Sequence, residues 1–194
     1  MTDFELLSAF ANEFTTKENA LLAEVNEYTH QHHAEPHMLS GHVQGQLLRM
    51  ISFMIKPRRI LEIGTFTGYS ALCLAEGLTD DGVLHTIESR EETSAIADNF
   101  FRKSALYPKI KLHTGKALEV IPSLQEEWDL VFIDADKQGY IDYFKMILPS
   151  VKKKGFILAD NIFFHGRALE KEPKGKSSKA IKAFNEFVRQ QTDI

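Results

Sequence analysis

The segment Leu61-Glu62-Ile63-Gly64-Thr65-Phe66-Thr67-Gly68-Tyr69-Ser70 constrains the fold of this chain more than any other. An apolar run from Arg59 to Ile63 reads as a buried strand and stops at Gly64; a helical pattern begins at Tyr69, continues to Glu76 and is stopped by Gly77. Gly64 and Gly68 let the backbone turn tightly and approach a ligand. Their spacing separates ligand classes. A dinucleotide loop reads G-x-G-x-x-G and lays a pyrophosphate on the helix N-terminus, whereas this loop reads G-x-x-x-G with Glu62 close before it. A carboxylate there repels phosphate and suits a cationic ligand, which disfavours a nicotinamide dinucleotide.

From residue 59 onward the same alternation repeats. Strands are expected near 59–65, 83–89, 110–115, 129–135 and 155–162, and helices near 68–77, 91–105, 117–126, 138–152 and 177–191. Such a chain is an α/β protein with a parallel sheet covered on both faces, a doubly wound sheet. Residues 3–55 read as helices, with Leu21, Leu22 and Val25, then Leu47, Leu48, Ile51 and Ile55 at helical spacing, and Ser40 is the expected N-cap of the third. The whole is expected to be a single domain over 1–194, with a helical cap at 1–57 and the sheet-bearing core at 58–194. The sequence holds no internal repeat and no Gly-rich or Pro-rich linker, and only Arg167 to Lys179 reads as mobile.

Composition narrows the setting. With 194 residues, 43% hydrophobic content and a formal charge of −4, the chain has no global basic character to bind nucleic acid nonspecifically. Cys73, the single cysteine, falls on the apolar face of the helix after the glycine loop, so a disulfide framework and a cysteine-based metal site are both excluded and a reducing cytoplasm is expected. The start, Met1-Thr2-Asp3-Phe4-Glu5, has no basic, apolar leader character, and no run has the length of a membrane span.

In an open α/β sheet, ligands bind beyond the carboxyl ends of the strands. The second strand ends at Glu88, about 20 residues past the glycine loop, where a carboxylate can accept both hydroxyls of a ribose. The third ends in Gly115-Lys116-Ala117, small enough to admit an adenine ring. Leu130 to Ile133 leads into Asp134-Ala135-Asp136-Lys137, and Phe156 to Ala159 leads into Asp160-Asn161. Asp134, Asp160 and the Asn161 amide oxygen form a hard-oxygen set for Mg²⁺, with Ca²⁺ or Mn²⁺ as alternatives, and do not suit zinc. The competing reading is that Asp134 caps a helix and Asp160-Asn161 caps a loop. Lys137, three residues beyond Asp134, faces the same cleft as a candidate general base.

These segments together resemble the cation-dependent class of S-adenosylmethionine-dependent O-methyltransferases, which includes the catechol and caffeoyl-coenzyme A enzymes and small bacterial relatives. The resemblance runs over about 36–191 and rests on Glu62 to Ser70, Phe132 to Lys137 and Ala159-Asp160-Asn161, with Met38-Leu39-Ser40 and Gly45-Gln46-Leu47-Leu48 similar to the segment over the cofactor. It implies a Rossmann-like fold with S-adenosylmethionine held by Ser40, Glu62, Gly64, Thr65, Ser70, Glu88, Ala117, Asp134 and Asp136. It also implies a divalent cation on Asp134, Asp160 and Asn161, and Lys137 as catalytic base with Asp134 beside it. The implied acceptor is a small molecule with vicinal oxygens; alternatives are a hydroxylated tRNA base, or a cofactor-binding chain without catalysis. The family usually continues into an antiparallel strand pair that completes a seven-stranded sheet and carries an acceptor-contacting acid. This sequence stops at Gln191-Thr192-Asp193-Ile194, so a truncated chain or a covered sheet edge is expected, and a homodimer with it.

His30, His32, His33 and His37 crowd one helix end without a matching ligand set and are read as complements to the helix dipole. Lys152-Lys153-Lys154 before Gly155 reads the same way, at a helix stop. Phe163, Phe164 and His165 are candidates for the acceptor wall, and Lys171, Lys174, Lys176 and Lys179 for contact with an anionic acceptor.

Overall fold

The computed structural model describes residues 3–192, with side chains from residue 5. Three helices come first: α1 (Asp3–Phe14), α2 (Ala20–His32) and α3 (Gly41–Ile55). The alternating part follows as β1 (Arg59–Ile63), α4 (Tyr69–Ala75), β2 (Val83–Glu88), α5 (Glu91–Phe101), β3 (Ile110–Thr114), α6 (Ala117–Val120), β4 (Trp128–Ile133), α7 (Tyr140–Ile147), β5 (Val151–Ala159) and α8 (Lys176–Arg189). The five strands form one parallel sheet in the order β3-β2-β1-β4-β5. The order reverses at β1, so the crevice between the ends of β1 and β4 is the topological switch point.

Side-chain alternation along the strands builds two cores. Ile60, Leu84, Leu130 and Phe132 face α2, α3, α4 and α5, packing with Leu22, Leu48, Leu74 and Phe101. Leu61, Ile63, Ile87, Val131 and Ile133 face the other way, onto Tyr140, Phe144, Ile181 and Phe184 of α7 and α8. Near-continuous apolar runs in β1 and β4 are what burial on both faces demands. Each buried Ile, Leu or Phe contributes about 1.5–3 kcal/mol of transfer free energy.

The cap is fitted to the core by one absent side chain. A Cβ at Gly45 would lie 2.5 Å from the Tyr69 ring and 2.9 Å from Cys73 Sγ, so α3 docks closely on α4 only because residue 45 is glycine. Among the described residues no helix is long and apolar enough to cross a membrane.

Several expected boundaries move. The helix expected over 117–126 ends at Val120 and passes into a 3₁₀ turn at Ile121–Ser123, because Pro122 lacks the N–H a helix needs. Pro149 does the same after α7. Lys152, Lys153 and Lys154 therefore do not close a helix; they belong to β5, which starts at Val151 rather than 155. The strand is held there by the Trp128–Val151 pairing and by Lys152 Nζ donating to Asp129 Oδ1 at 2.8 Å, with a register shift between Trp128 and Leu130. The 167–179 segment is tied rather than loose. Ala168 and Ser178 are buried, and Lys182 Nζ donates to the Glu170 and Lys171 carbonyls. Ser40 stands at the N-cap position of α3 but in αR conformation, and its side chain makes no capping bond.

Candidate functional site

Backbone hydrogen bonds bring the strand ends to one edge. Gly64 and Thr65 N–H donate to the Ile87 carbonyl, Asp134 N–H to Ile63 O at 2.9 Å, and Asp160 N–H to Ile133 O at 2.9 Å. Gly64 has φ +104°, and a Cβ there would lie 1.9 Å from the Asp134 carbonyl oxygen. The loop after β1 can thus lie against the loop after β4 only with glycine at 64.

Glu62 is fully buried in the sheet. Its Oε2 accepts from the Thr86 hydroxyl, which also meets Thr65 Oγ1, while Oε1 has no hydrogen-bond partner among the described residues. Burial pushes the Glu62 carboxyl up to about 8, against the pull of the Ser70 and Thr86 hydroxyls, with the Asp134 and Glu88 charges adding to the rise. An unpartnered buried carboxyl oxygen beneath the glycine loop fits a cationic ligand.

Glu88 is buried at the end of β2 and already gathers donors: Phe66 N–H to Oε2 at 2.9 Å, and Arg90 N–H and Nε to Oε1 at 3.0 and 3.1 Å. It is a fixed anchor rather than a solvated strand-end acid, with lone pairs left for a hydroxylated ligand. Ala117 is buried at the start of α6, after Gly115 at φ +150°. Thr65 and Ser70 are buried around the same loop, and Ser40 is half-buried at the head of α3.

At the other side of the crevice, Asp136 and not Asp134 caps the turn before α7, accepting from Gly139 N–H at 3.0 Å and from the Tyr143 hydroxyl. Asp134 is therefore not used up as a helix cap. Its Oδ1 accepts from Lys137 Nζ at 3.0 Å, and Lys137 Nζ also donates to the Tyr140 hydroxyl at 2.6 Å. Tyr140 is fully buried, and its hydroxyl donates between the Ile133 and Asp160 carbonyls, each at 3.2 Å. The Asp160 carboxyl is raised above the usual carboxylate range by burial and then by the facing Asp134 charge, opposed by Lys137 and Gln44. Asn161 sits in the left-handed region at φ +55°, an unusual conformation for a residue with a side chain.

The geometry thus gathers Asp134, Lys137, Asp160 and Asn161 at adjacent ends of β4 and β5. Among the described residues no three His, Cys, Asp or Glu side chains come together as a metal group. Two carboxylates and one amide would leave room on a hard cation for water and acceptor oxygens, and a divalent charge would relieve the Asp134–Asp160 repulsion. The histidines of the α2 end serve locally: His30 and His32 pair with the Asn26 and Tyr28 carbonyls, and His33 Nδ1 accepts from Glu35 N–H.

Sequence pattern does not single out Thr86, Arg90, Tyr140 or Gln44. Tyr140 follows Lys137 by three residues, a spacing that would have suggested their contact. Gln44 meets Asp160 across 116 residues, and no local signal marks it.

Comparison with known proteins places the chain in a family. The profile of the O-methyltransferase family matches residues 12–194. The chain belongs to that family. It is 30% identical over 182 residues to a catechol O-methyltransferase of Niastella koreensis, covering 92% of this chain and 81% of that one. It is 33% identical over 151 residues to caffeoyl-CoA O-methyltransferase 5 of Nicotiana tabacum, covering 75% of this chain but only 62% of the plant protein. Its fold superposes on the O-methyltransferase TomG of Streptomyces achromogenes in complex with SAM, with TM-score 0.91, 27% identity and coverage of 100% and 89%. The SAH-bound methyltransferase PaMTH1 of Podospora anserina gives TM-score 0.90 at 28% identity, covering 97% of this chain and 86% of that one. The relatives are thus named for catechol and caffeoyl-CoA O-methylation, and the two solved neighbours hold SAM or SAH.

Proposed function

We propose that this O-methyltransferase methylates one of two vicinal hydroxyls on a small catechol-like acceptor in a cation-dependent reaction. The observation that carries this reading is the meeting of the Lys137 amine with Asp134 beside Asp160 and Asn161 at the crevice. S-adenosylmethionine supplies the methyl group, and a divalent cation, Mg²⁺ foremost with Ca²⁺ or Mn²⁺ as alternatives, supplies charge that lowers the cost of an acceptor oxyanion. Asp134, Asp160 and Asn161 hold that cation. Glu62 meets the positive charge of the methyl donor, Glu88 its ribose and Ala117 its adenine, with Ser40, Gly64, Thr65, Ser70, Asp134 and Asp136 completing the cofactor contacts. Lys137 takes the acceptor's hydroxyl proton at Nζ, and Asp134 and Tyr140 orient that amine. Orientation of the two reactants supplies roughly 7–11 kcal/mol of the barrier reduction.

A homodimer is part of the proposal. Leu6, Leu7, Phe10 and Phe14 on α1 and Leu47, Met50, Phe53 and Met54 on α3 are all at least 45% exposed, apolar side chains that a second copy would cover. The buried free Cys73 is consistent with a cytoplasmic setting. A second reading, methylation of a hydroxylated tRNA base, draws support from the exposed Lys171, Lys174, Lys176 and Lys179. Labelled S-adenosylmethionine offered with Mg²⁺ to caffeate, and separately to tRNA, decides. Label is expected in the phenol, with kcat lowered at least about 100-fold by Lys137→Met. Label in RNA alone would favour the second reading, and bound cofactor with no transfer would leave a non-catalytic protein.

A further inference from the structure

Asp160 is constrained at three points. Its N–H donates to Ile133 O at 2.9 Å, its carbonyl accepts from Tyr140 at 3.2 Å, and its side-chain Oδ1 accepts from Gln44 Nε2 at 2.8 Å. The first two fix the backbone, and the third fixes the rotation of the carboxylate. Gln44 cannot drift, because its neighbour Gly45 abuts Tyr69 and Cys73, and further along α3 the Ser52 hydroxyl donates to the Leu74 carbonyl at 2.6 Å. A neutral amide donor is suited to this task. It orients a carboxylate without competing for a cation, as a lysine would, and without adding a third repelling charge, as a glutamate would.

We propose that Gln44 is a positioning residue for Asp160: by tying Oδ1 it leaves Oδ2 as the single oxygen presented to a divalent cation, so that the docking of α3 sets the geometry of a ligand on β5. The inference rests on the assignment of Asp134, Asp160 and Asn161 as cation ligands. It makes Asp160 a monodentate ligand and places one determinant of cation affinity in the helical cap, outside the sheet.

The test is direct Mn²⁺ binding, followed by electron paramagnetic resonance of the free ion, in the wild-type chain, Gln44→Met, Gln44→Asn and Asp160→Asn. Thermal midpoint and S-adenosylmethionine affinity without metal are measured alongside. Gln44→Met keeps the length and removes the donor, and Gln44→Asn keeps the amide but shortens its reach by one methylene. Wild type is expected to bind one Mn²⁺ and Asp160→Asn to lose it. Both Gln44 variants are expected to raise the Mn²⁺ Kd at least about tenfold while leaving cofactor affinity unchanged. If Gln44→Met lowers the thermal midpoint, Gln44→Asn decides. Wild-type Mn²⁺ affinity in the deciding variant overturns the role of Gln44. No Mn²⁺ binding by wild type, or undiminished binding by Asp160→Asn, overturns the ligand set itself, a separate failure.

Discussion

Burial pushes the Glu62 carboxyl up to about 8, so the folded and unfolded chains bind protons differently across the neutral range. The unfolded carboxyl releases its proton near 4.5 and the buried one near 8. Between these values the folded state holds a proton that the unfolded state has lost, so stability falls as pH rises from about 4.5 to about 8. A cationic ligand favours the carboxylate. S-adenosylmethionine binding at pH 7 is therefore expected to release a proton and to tighten as pH approaches 8, seen as a buffer-dependent binding heat in calorimetry. Glu62→Gln should weaken binding by roughly 10–100-fold, the value of a charged hydrogen bond, and remove this pH dependence; affinity that stays flat with pH in the wild type would contradict the role. Gly64→Ala should cost at least about 2 kcal/mol of stability and abolish cofactor binding, since its Cβ would meet the Asp134 carbonyl at 1.9 Å; denaturant melts check this. Glu62, Asp134 and Asp160 were legible in the sequence because each follows an apolar run at a strand end. Gln44 was not, since nothing in a helical repeat reports which face will meet a strand more than 100 residues later.

At the scale of elements, the alternation of strand and helix was readable because each period is enforced by burial on both sheet faces. Boundaries were less so. Lys152 to Lys154 look like a helix end in isolation, and become a strand because Asp129 on the neighbouring strand accepts the Lys152 ammonium. That partner is a tertiary fact. Another is the pair across β2 and β3, where His85 Nδ1 lies 3.0 Å from His113 Nε2. One ring must donate and the other accept, so the bond needs a neutral partner. Burial first, and the His113 charge second, push His85 down to about 4. The unfolded imidazole takes up a proton near 6.5 while the folded one does not, so stability is fully present above 6.5 and is lost as pH falls toward 4. His85→Phe is expected to flatten this acid decline, read as the change in urea midpoint between pH 7 and 5. An unchanged decline would assign it to other groups.

For the whole molecule, the doubly wound class followed from the sequence, whereas the order β3-β2-β1-β4-β5 did not, because strand order depends on crossovers that leave no local mark. Among the described residues β5 stands at the sheet edge, and Phe156 on it shares a surface depression with Met54 of α3. Lys56, Asp129, Lys153 and Lys154 line the same depression, so charged groups flank the apolar pair. Sedimentation at tens of micromolar is expected to show a dimer, and Phe53→Glu with Met54→Lys a monomer; a monomeric wild type would leave the exposed face unexplained. The proposed cation-dependent chemistry belongs to the adjacent ends of β4 and β5, beside the switch point, where hard oxygen donors and an amine meet. Its most direct test is transfer of labelled methyl from S-adenosylmethionine to caffeate with Mg²⁺ and again with excess EDTA. Transfer that disappears with EDTA and returns with added Mg²⁺ is the predicted result, and transfer that persists undiminished in EDTA would contradict the cation-dependent mechanism.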